Sequence, residues 1–298
     1  MRDYAYSANL SAKTRILNVM RRVFQWPPLE RILRDRVQGK DPRSTVGRLV
    51  PPEYLYPPGS WRSITMNGLQ YRLDLSNATD HGAYFGMADS GDEHFQRLLR
   101  PTDVVVDIGA NIGIRTLAFA RSVPMGRVIS FEPHPASFKR LQEHVALNKL
   151  THVQVVNKGI GPMERSERLF EVVSSNSGMN RIVADPDRMG DLPYIEVRIA
   201  PLHTELQALG IGHVDAIKLD VEGFEMEVLR GAKEVLERDA PILFIELDDD
   251  NLRENRSSAQ ELLASLSALG YTVVEAMDQA PVRKDLDHCH LDIIATKA

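Results

Sequence analysis

The stretch VVVDIGANIG, residues 104–113, joins an apolar run to a turn rich in small residues. A strand that is buried on both faces of a sheet reads as a continuous apolar run. Small residues in the turn let the backbone approach a ligand, and a helix that begins there offers free N–H groups. The stretch therefore predicts the first strand of an α/β sheet with a binding site directly after it.

The chain beyond this turn alternates between strand and helix patterns. Further strands are predicted at residues 128–131, 153–156, 216–219 and 242–245, and two closing strands near 271–274 and 291–295. Apolar residues at helical spacing lie between them. This order predicts a doubly wound, mostly parallel sheet. Residues 169–173 and 195–199 predict an added hairpin around a polar loop at 174–190, and such loops are usually functional or mobile.

The N-terminal part has a different character, so we predict a boundary between residues 1–92 and a binding domain at 93–298. Residues 1–60 read as an irregular basic arm with paired prolines, and Asn67-Gly68 predicts a β-hairpin. Residues 1–50 hold eleven Lys and Arg against four Asp and Glu, whereas the whole chain has a net charge of −5. The arm is interpreted either as a lid over an anionic acceptor or as a solvated element.

One short helix is predicted inside the arm. Its apolar side consists of Ile16, Leu17, Val19, Met20 and Val23, with arginines at its edge, and Pro27-Pro28 should end it. Such a helix either touches a membrane surface or, more often, packs on its own domain. No apolar segment has the length of a signal peptide or a membrane span, and Cys289 is the single cysteine. A soluble, cytoplasmic protein is expected.

The turn itself restricts the ligand. The order Gly109-x-Asn111 lacks the second glycine that a dinucleotide pyrophosphate needs, so NAD is disfavoured. Asp107 would repel a phosphate and suits a cation such as an ammonium group. Glu132 lies 23 residues after Gly109, at the end of the second strand, where a carboxylate accepts ribose hydroxyls. A ribose, a positive charge and no pyrophosphate together describe S-adenosylmethionine.

Five segments together resemble the FkbM family of S-adenosylmethionine-dependent methyltransferases over about residues 93–275: VVDIGANIG at 105–113, FEP at 131–133, IKLDVEGFE at 217–225, LRGA at 229–232 and IEL at 245–247. The resemblance implies a class I methyltransferase (Rossmann-like) fold with an antiparallel last strand. It also implies O-methylation of hydroxyls on sugars, glycolipids or polyketides. The cofactor residues are then Asp107, Gly109, Asn111, Gly113 and Glu132, and Pro133 and Asn157 complete the predicted set.

The chemistry is expected beyond the carboxyl ends of the fourth and fifth strands. A hydroxyl is a poor nucleophile, so a base assists its methylation. Asp220, Glu222 and Glu246 are the candidate bases, with Lys218 beside them to tune their pKa values. His203 is a further candidate, in a segment PLHTE (201–205) where the family often has Thr-Leu-Asp. Asp220 and Lys218 could equally be a structural ion pair. Mg²⁺ is not favoured because the carboxylates match no metal-binding motif.

Two classes of function remain open. The first is an enzyme with a small-molecule or glycan acceptor, and the basic arm would suit an anionic one. The second is a non-catalytic binding module on the same fold. Methylation of nitrogen or of nucleic acid is the alternative chemistry, but no Asp/Asn-Pro-Pro-Tyr type of base-flipping segment follows the fourth strand. We therefore expect no nucleic-acid partner.

Overall fold

The computed structural model describes residues 10–86, 91–173, 176–283 and 285–297. The chain forms two compact units, one of Met1–Asp89 with Val173–Gly178 and one of Ser90–Val172 with Met179–Ala298. The first nine residues of the basic arm and residues 174–175 of the polar loop lie outside the described residues. No helix among the described residues is long and apolar enough to cross a membrane.

The described residues of the N-terminal unit form three α-helices and a hairpin, with short 3-10 turns between them. Its elements are α1 (Ala12–Arg21), α2 (Pro27–Val37), β1 (Trp61–Met66), β2 (Leu69–Asp74) and α3 (Ala78–Phe85). The predicted hairpin is confirmed, because β1 and β2 pair antiparallel around Asn67 and Gly68. Both turn residues have positive φ, 51° and 81°, as a tight two-residue hairpin turn requires.

Two predictions for the basic arm are wrong: the residue at which its first helix ends, and the role of Pro27-Pro28. The predicted first helix exists, but α1 ends at Arg21 and a 3-10 turn follows it. Pro27 and Pro28 do not end a helix; they begin α2. A proline in the first helical turn costs no hydrogen bond, because the N–H groups there have no partner within the helix. The role of this unit as a substrate lid stays a prediction.

The second unit is built on a seven-stranded sheet. Its elements in chain order are α4 (Gly91–Leu98), β3 (Val104–Ile108), α5 (Ile114–Ser122), β4 (Arg127–Phe131), α6 (Pro135–Leu147), β5 (Val153–Val156), β6 (Gly159–Ile160), β7 (Arg165–Phe170), β8 (Arg181–Ile182), β9 (Tyr194–Ala200), α7 (Leu202–Ala208), β10 (Ala216–Leu219), α8 (Glu225–Asp239), β11 (Ile242–Asp248), α9 (Asp249–Glu254), α10 (Ala259–Ala268), β12 (Thr272–Glu275) and β13 (His290–Thr296). The strand order is β12-β13-β11-β10-β3-β4-β5. Among the described residues, β13 is the only strand of this sheet that is antiparallel to its neighbours. The doubly wound sheet with an antiparallel last strand is confirmed, as is the class I methyltransferase fold.

Both faces of this sheet are covered. Val105 packs into one apolar cluster with residues of α4 and α5, such as Phe95 and Phe119. Val106 and Ile108 pack into the opposite cluster, which α7, α8 and α10 complete. Successive strand residues point to opposite faces, so a strand buried on both sides must be apolar at every position. This is why the run at 104–108 contains so few polar residues.

The predicted added hairpin is part of a second, four-stranded sheet with the order β6-β9-β7-β8. Strands β7 and β9 pair antiparallel, as expected. Strand β7 begins at Arg165, before the predicted start at Leu169. Its first four residues alternate between half-buried and exposed positions and carry mostly charged side chains. A search for apolar runs detects only the buried end of such a strand.

Candidate active site

The turn after β3 passes very close to the end of β10. Gly109 has φ +77°, and a Cβ atom there would lie 1.9 Å from the carbonyl oxygen of Asp220. Gly113 has φ +89° and precedes α5, and a Cβ atom there would lie 2.5 Å from Cδ1 of Leu141. Both glycines are therefore required by the backbone itself. Gly109 thereby lets the turn lie against Asp220, the residue that directly follows β10.

Asp107 lies behind this turn with its side chain fully buried. Its carboxylate accepts a hydrogen bond of 2.6 Å from the Thr116 hydroxyl, and the Nζ atom of Lys218 lies 3.4 Å away. The cation that Asp107 meets is therefore an internal ammonium group. This burial does not support the expectation that Asp107 itself faces a cationic ligand. We assign it instead to holding Lys218 beneath the turn.

Glu132 directly follows β4 and is held by two backbone groups. The N–H of Asn111 donates to Oε2 over 2.7 Å, and the N–H of His134 donates to Oε1 over 2.8 Å. Asn111 has φ 48°, an uncommon conformation that aims its N–H at the carboxylate. Burial raises the pKa of Glu132 to about 7, against the lowering effect of these two hydrogen bonds. Each oxygen keeps acceptor capacity for a ligand hydroxyl.

Asn157 and Pro133 belong to the loop that carries Glu132. The Nδ2 atom of Asn157 donates to the carbonyl oxygens of Glu132 (2.8 Å) and Pro133 (2.9 Å). His134 caps α6, because its Nδ1 atom accepts from the N–H of Ser137. Of these residues, Asn157 acts through the backbone of Glu132, so we regard it as a positioning residue.

Three carboxylates meet at the ends of β10 and β11. One oxygen atom from each of Asp220, Glu222 and Glu246 lies within 4.8 Å of the others. The parallel register pairs Leu219 with Ile245, so the residues that follow, Asp220 and Glu246, lie side by side. The sequence placed Glu246 just after its strand, but β11 continues to Asp248 and includes it. We call these three residues the carboxylate cluster.

Two cations hold Asp220 ionised. Nζ of Lys218 lies 3.3 Å from its carboxylate, and Nη1 of Arg115 lies 2.7 Å from it. Burial alone would raise the pKa of Asp220, but these charges lower it to about 2. Burial alone would also lower the pKa of Lys218, yet Asp220 and Asp107 raise it above its usual value. Arg115 is fixed on its other side by Asp92 at 2.7 Å.

The other two members of the cluster titrate in the opposite direction. The negative charge of Asp220, followed by burial, raises the pKa of Glu246 well above its usual range. Glu246 and Asp220 also share a side-chain hydrogen bond. Burial, together with the charge of Asp220, raises the pKa of Glu222 to about 8. Like charges this close cannot all ionise, so near neutral pH the cluster holds protons as well as charge.

Glu222 is held in an uncommon backbone conformation, with φ 53°. The buried Glu225 carboxylate supports this turn, since its Oε1 atom accepts from the N–H groups of Val221 and Gly223 at 3.2 Å each. The side chain of Glu222 accepts from Nδ2 of Asn251 over 2.9 Å instead of capping α8. Strain of this kind persists only where the surroundings determine it, and it concentrates at functional sites.

His203 is not brought to the carboxylate cluster. It lies on α7 and pairs with Glu234 at 3.0 Å. Glu234 is nine residues along α8 from Glu225, which is roughly 13 Å at 1.5 Å per residue. Another histidine is closer, because Nε2 of His290 lies 3.9 Å from Glu246 while Nδ1 pairs with Asp248 at 3.0 Å.

Four polar residues of the site were missed by sequence reasoning: Arg115, Arg181, Asn251 and His290. Arg181 lies in the polar loop region that was expected to be functional or mobile, and its Nη1 atom donates to Oδ1 of Asn251 over 2.8 Å. Arg181 thereby orients the amide that holds Glu222. The composition of the loop was a signal, but it did not distinguish this arginine from its polar neighbours.

Comparison with known proteins gives consistent matches. The profile of the family described as "Methyltransferase FkbM domain" matches residues 107–273. "Methyltransferase 1" of Beauveria bassiana is 30% identical over 142 residues, which cover 43% of this chain and 57% of that protein. "2-O-methyltransferase NoeI" of Sinorhizobium fredii is 28% identical over 192 residues, 56% of this chain and 72% of that protein. The crystal structure of methyltransferase FkbM from Methylobacillus flagellatus aligns with 93% of this chain and 60% of its own, at 16% identity and a TM-score of 0.46.

Proposed function

Because the chain belongs to the FkbM methyltransferase family, we propose that it transfers a methyl group from S-adenosylmethionine to a hydroxyl of a sugar, glycolipid or polyketide-type acceptor. The observation that carries this proposal is the carboxylate cluster at the carboxyl edge of the sheet, the same edge on which Glu132 follows β4. The match to the Beauveria bassiana relative covers 57% of that protein. The proposed activity therefore depends on the geometry of the site in this chain.

The residues present suit the cofactor. When bound, S-adenosylmethionine would supply an electrophilic methyl group, whose bond to the sulfonium sulfur breaks as the bond to the acceptor oxygen forms, with a neutral thioether as the leaving group. The buried carboxylate of Glu132 accepts the ribose hydroxyls, and the two backbone N–H groups from Asn111 and His134 keep it in place.

Glu222 is the general base in this proposal. A base works best when its pKa lies near the operating pH. Asp220, with a pKa of about 2, is too weak a base, and Glu246 is engaged in a side-chain hydrogen bond with Asp220. Glu222 has a pKa of about 8 and takes the hydroxyl proton as the new C–O bond forms. Asn251 and Arg181 position it.

An oxygen acceptor fits this site better than an amine. A neutral amine attacks without prior loss of a proton, whereas a hydroxyl gains from a base in the transition state. The name of the Sinorhizobium fredii relative, a 2-O-methyltransferase, supports the same choice. Incubation with S-adenosylmethionine and a panel of sugar and polyketide alcohols, read by mass spectrometry, tests the proposal. A non-catalytic binding module would bind S-adenosylmethionine without methylating any of them.

The Glu132→Gln variant should bind S-adenosylmethionine more weakly by about 1.5–3 kcal/mol, because its hydroxyl contacts lose a charged acceptor. That change is roughly a tenfold to hundredfold rise in Kd, measured by calorimetry. Glutamine is preferred to alanine, since its amide oxygen still accepts from one of the two surrounding N–H groups. Glu143→Gln, at an exposed position of α6, is the matched control and should bind like the wild type. Equal affinities for both variants would refute the ribose assignment.

Metal removal should leave turnover unchanged. The carboxylate cluster could offer three oxygen ligands to Mg²⁺, but Asp220 is already neutralised by Lys218 and Arg115. A divalent cation would have to compete with both. Treatment with EDTA, followed by the same mass-spectrometric assay, checks this. Activity that disappears and returns only with Mg²⁺ would make the three carboxylates metal ligands instead.

A further inference from the structure

Helix α1 exposes its apolar face. Val19 and Met20 lie three and four residues after Ile16, so these three residues share one side of the helix, and Val23 follows in the adjoining 3-10 turn. Their exposed fractions are 67%, 70%, 58% and 58%. We call these four residues the α1 ridge. A surface helix of a globular protein normally turns such a stripe toward the core, and contiguous exposed apolar patches mark interaction sites.

The opposite side of the helix is polar and is fixed to its own unit. Asn18 is buried, and its Nδ2 atom donates to the Tyr54 hydroxyl over 3.1 Å. Nε of Arg21 donates to the carbonyl oxygen of Arg48 over 2.8 Å. Nε2 of Gln25, in the following 3-10 turn, donates to the carbonyl oxygen of Leu55 over 2.8 Å. These three contacts fix the rotation of the helix about its own axis. The ridge, on the opposite side, therefore faces outward.

Basic residues border the ridge on both sides. At 100° per residue, Lys13 lies at one border of the ridge, and Arg15 and Arg22 lie at the other. All three are exposed. No acidic residue occurs between positions 10 and 29. Within the part of the chain that the structure describes, none of the three has an ion-pair partner. Among the described residues, the positive charge of this border is therefore not compensated by an ion pair.

We propose that α1 docks on an anionic lipid surface, lying in its plane with the ridge among the acyl chains and the basic border at the headgroups. Amphipathic helices with basic polar faces bind membranes in this way. The exposed indole of Trp26, which follows the helix, suits the same interface. Charge selects lipid over a second copy of this chain, because two α1 ridges packed together would bring their basic borders close to one another.

Co-sedimentation of the full chain with vesicles tests the proposal. We expect binding to vesicles of phosphatidylcholine and phosphatidylglycerol that weakens as salt is added, and much weaker binding to phosphatidylcholine alone. The triple variant Lys13→Gln/Arg15→Gln/Arg22→Gln should bind anionic vesicles about a hundredfold more weakly, at roughly fivefold per charge. The triple variant Ile16→Ser/Val19→Ser/Met20→Ser should lose at least about tenfold, because it removes the inserted apolar surface.

The chain offers a matched control in Met125 and Met277, which are 72% exposed and lie outside the N-terminal unit. The Met125→Ser/Met277→Ser variant should sediment like the wild type, and the thermal transition verifies that every variant folds. Failure of the wild type to bind anionic vesicles, or equal binding by the ridge variant, would overturn the proposal. A dimer in light scattering that the ridge variant abolishes would overturn it too. None of these readouts involves methyl transfer, so the proposed activity stands or falls separately.

Discussion

Replacement of Glu222 by glutamine is expected to lower kcat by about 10²–10⁴-fold, the usual contribution of a positioned general base. The amide keeps the size of the side chain and an acceptor for Nδ2 of Asn251, so the strained turn at 221–223 should retain its geometry. Only the ability to take a proton is lost. The measurement is the rate of methyl transfer at saturating cofactor and acceptor.

The pH profile distinguishes a base from a merely structural residue. Glu222 acts in its ionised form, and burial with the neighbouring Asp220 raises its pKa to about 8. The wild-type kcat should therefore rise with pH up to about 8 and then level off, whereas the remaining activity of Glu222→Gln should lack this rise. Glu164→Gln, in an exposed ion pair with Arg198, is the control. A variant with wild-type kcat and profile would exclude Glu222 as the base.

Replacement of Lys218 by methionine is expected to lower the free energy of unfolding by about 3–5 kcal/mol, as is typical when one partner of a buried ion pair is removed. Lys218 is almost completely buried between Asp107 and Asp220, and its Nζ atom also donates to the carbonyl oxygen of Gly109 over 2.9 Å. Methionine has a similar volume, so the loss arises from the uncompensated carboxylates rather than from a cavity. Denaturant titration measures it.

Two comparisons test this explanation. The Lys233→Met variant removes an exposed ion pair with Glu237 and should change stability by less than about 1 kcal/mol. The Lys218→Met/Asp107→Asn double variant should recover part of the loss, because it removes one of the stranded charges. A Lys218→Met protein as stable as the wild type would show that this pair contributes nothing to the fold.

The central sheet could be predicted because its strands are buried on both faces. Residues 104–108 and 216–219 are apolar at nearly every position, and their observed bounds agree with the predicted ones. The N-terminal unit does not follow this pattern of burial. Helix α1 turns its apolar side outward, and α2 begins at the prolines that were expected to stop a helix. A rule that places apolar residues inside cannot predict this arrangement.

The sequence could predict only those residues of the candidate site that lie at the ends of strands. Asp220 and Glu246 follow from parallel register, since neighbouring strands end at one edge of the sheet. The supporting contacts depend on residues far apart in the chain, as Arg181 and Asn251 do, and local pattern carries no information about them. The same holds for Asp107, whose partner Lys218 lies on another strand.

Calorimetric titration of the folded wild-type chain with S-adenosylmethionine tests directly whether this chain binds the proposed cofactor. We expect one binding site per chain, with adenosine as a competitor, because the ribose is held by Glu132 at the end of β4. A folded protein that gives no binding heat with S-adenosylmethionine or S-adenosylhomocysteine at several temperatures would contradict it.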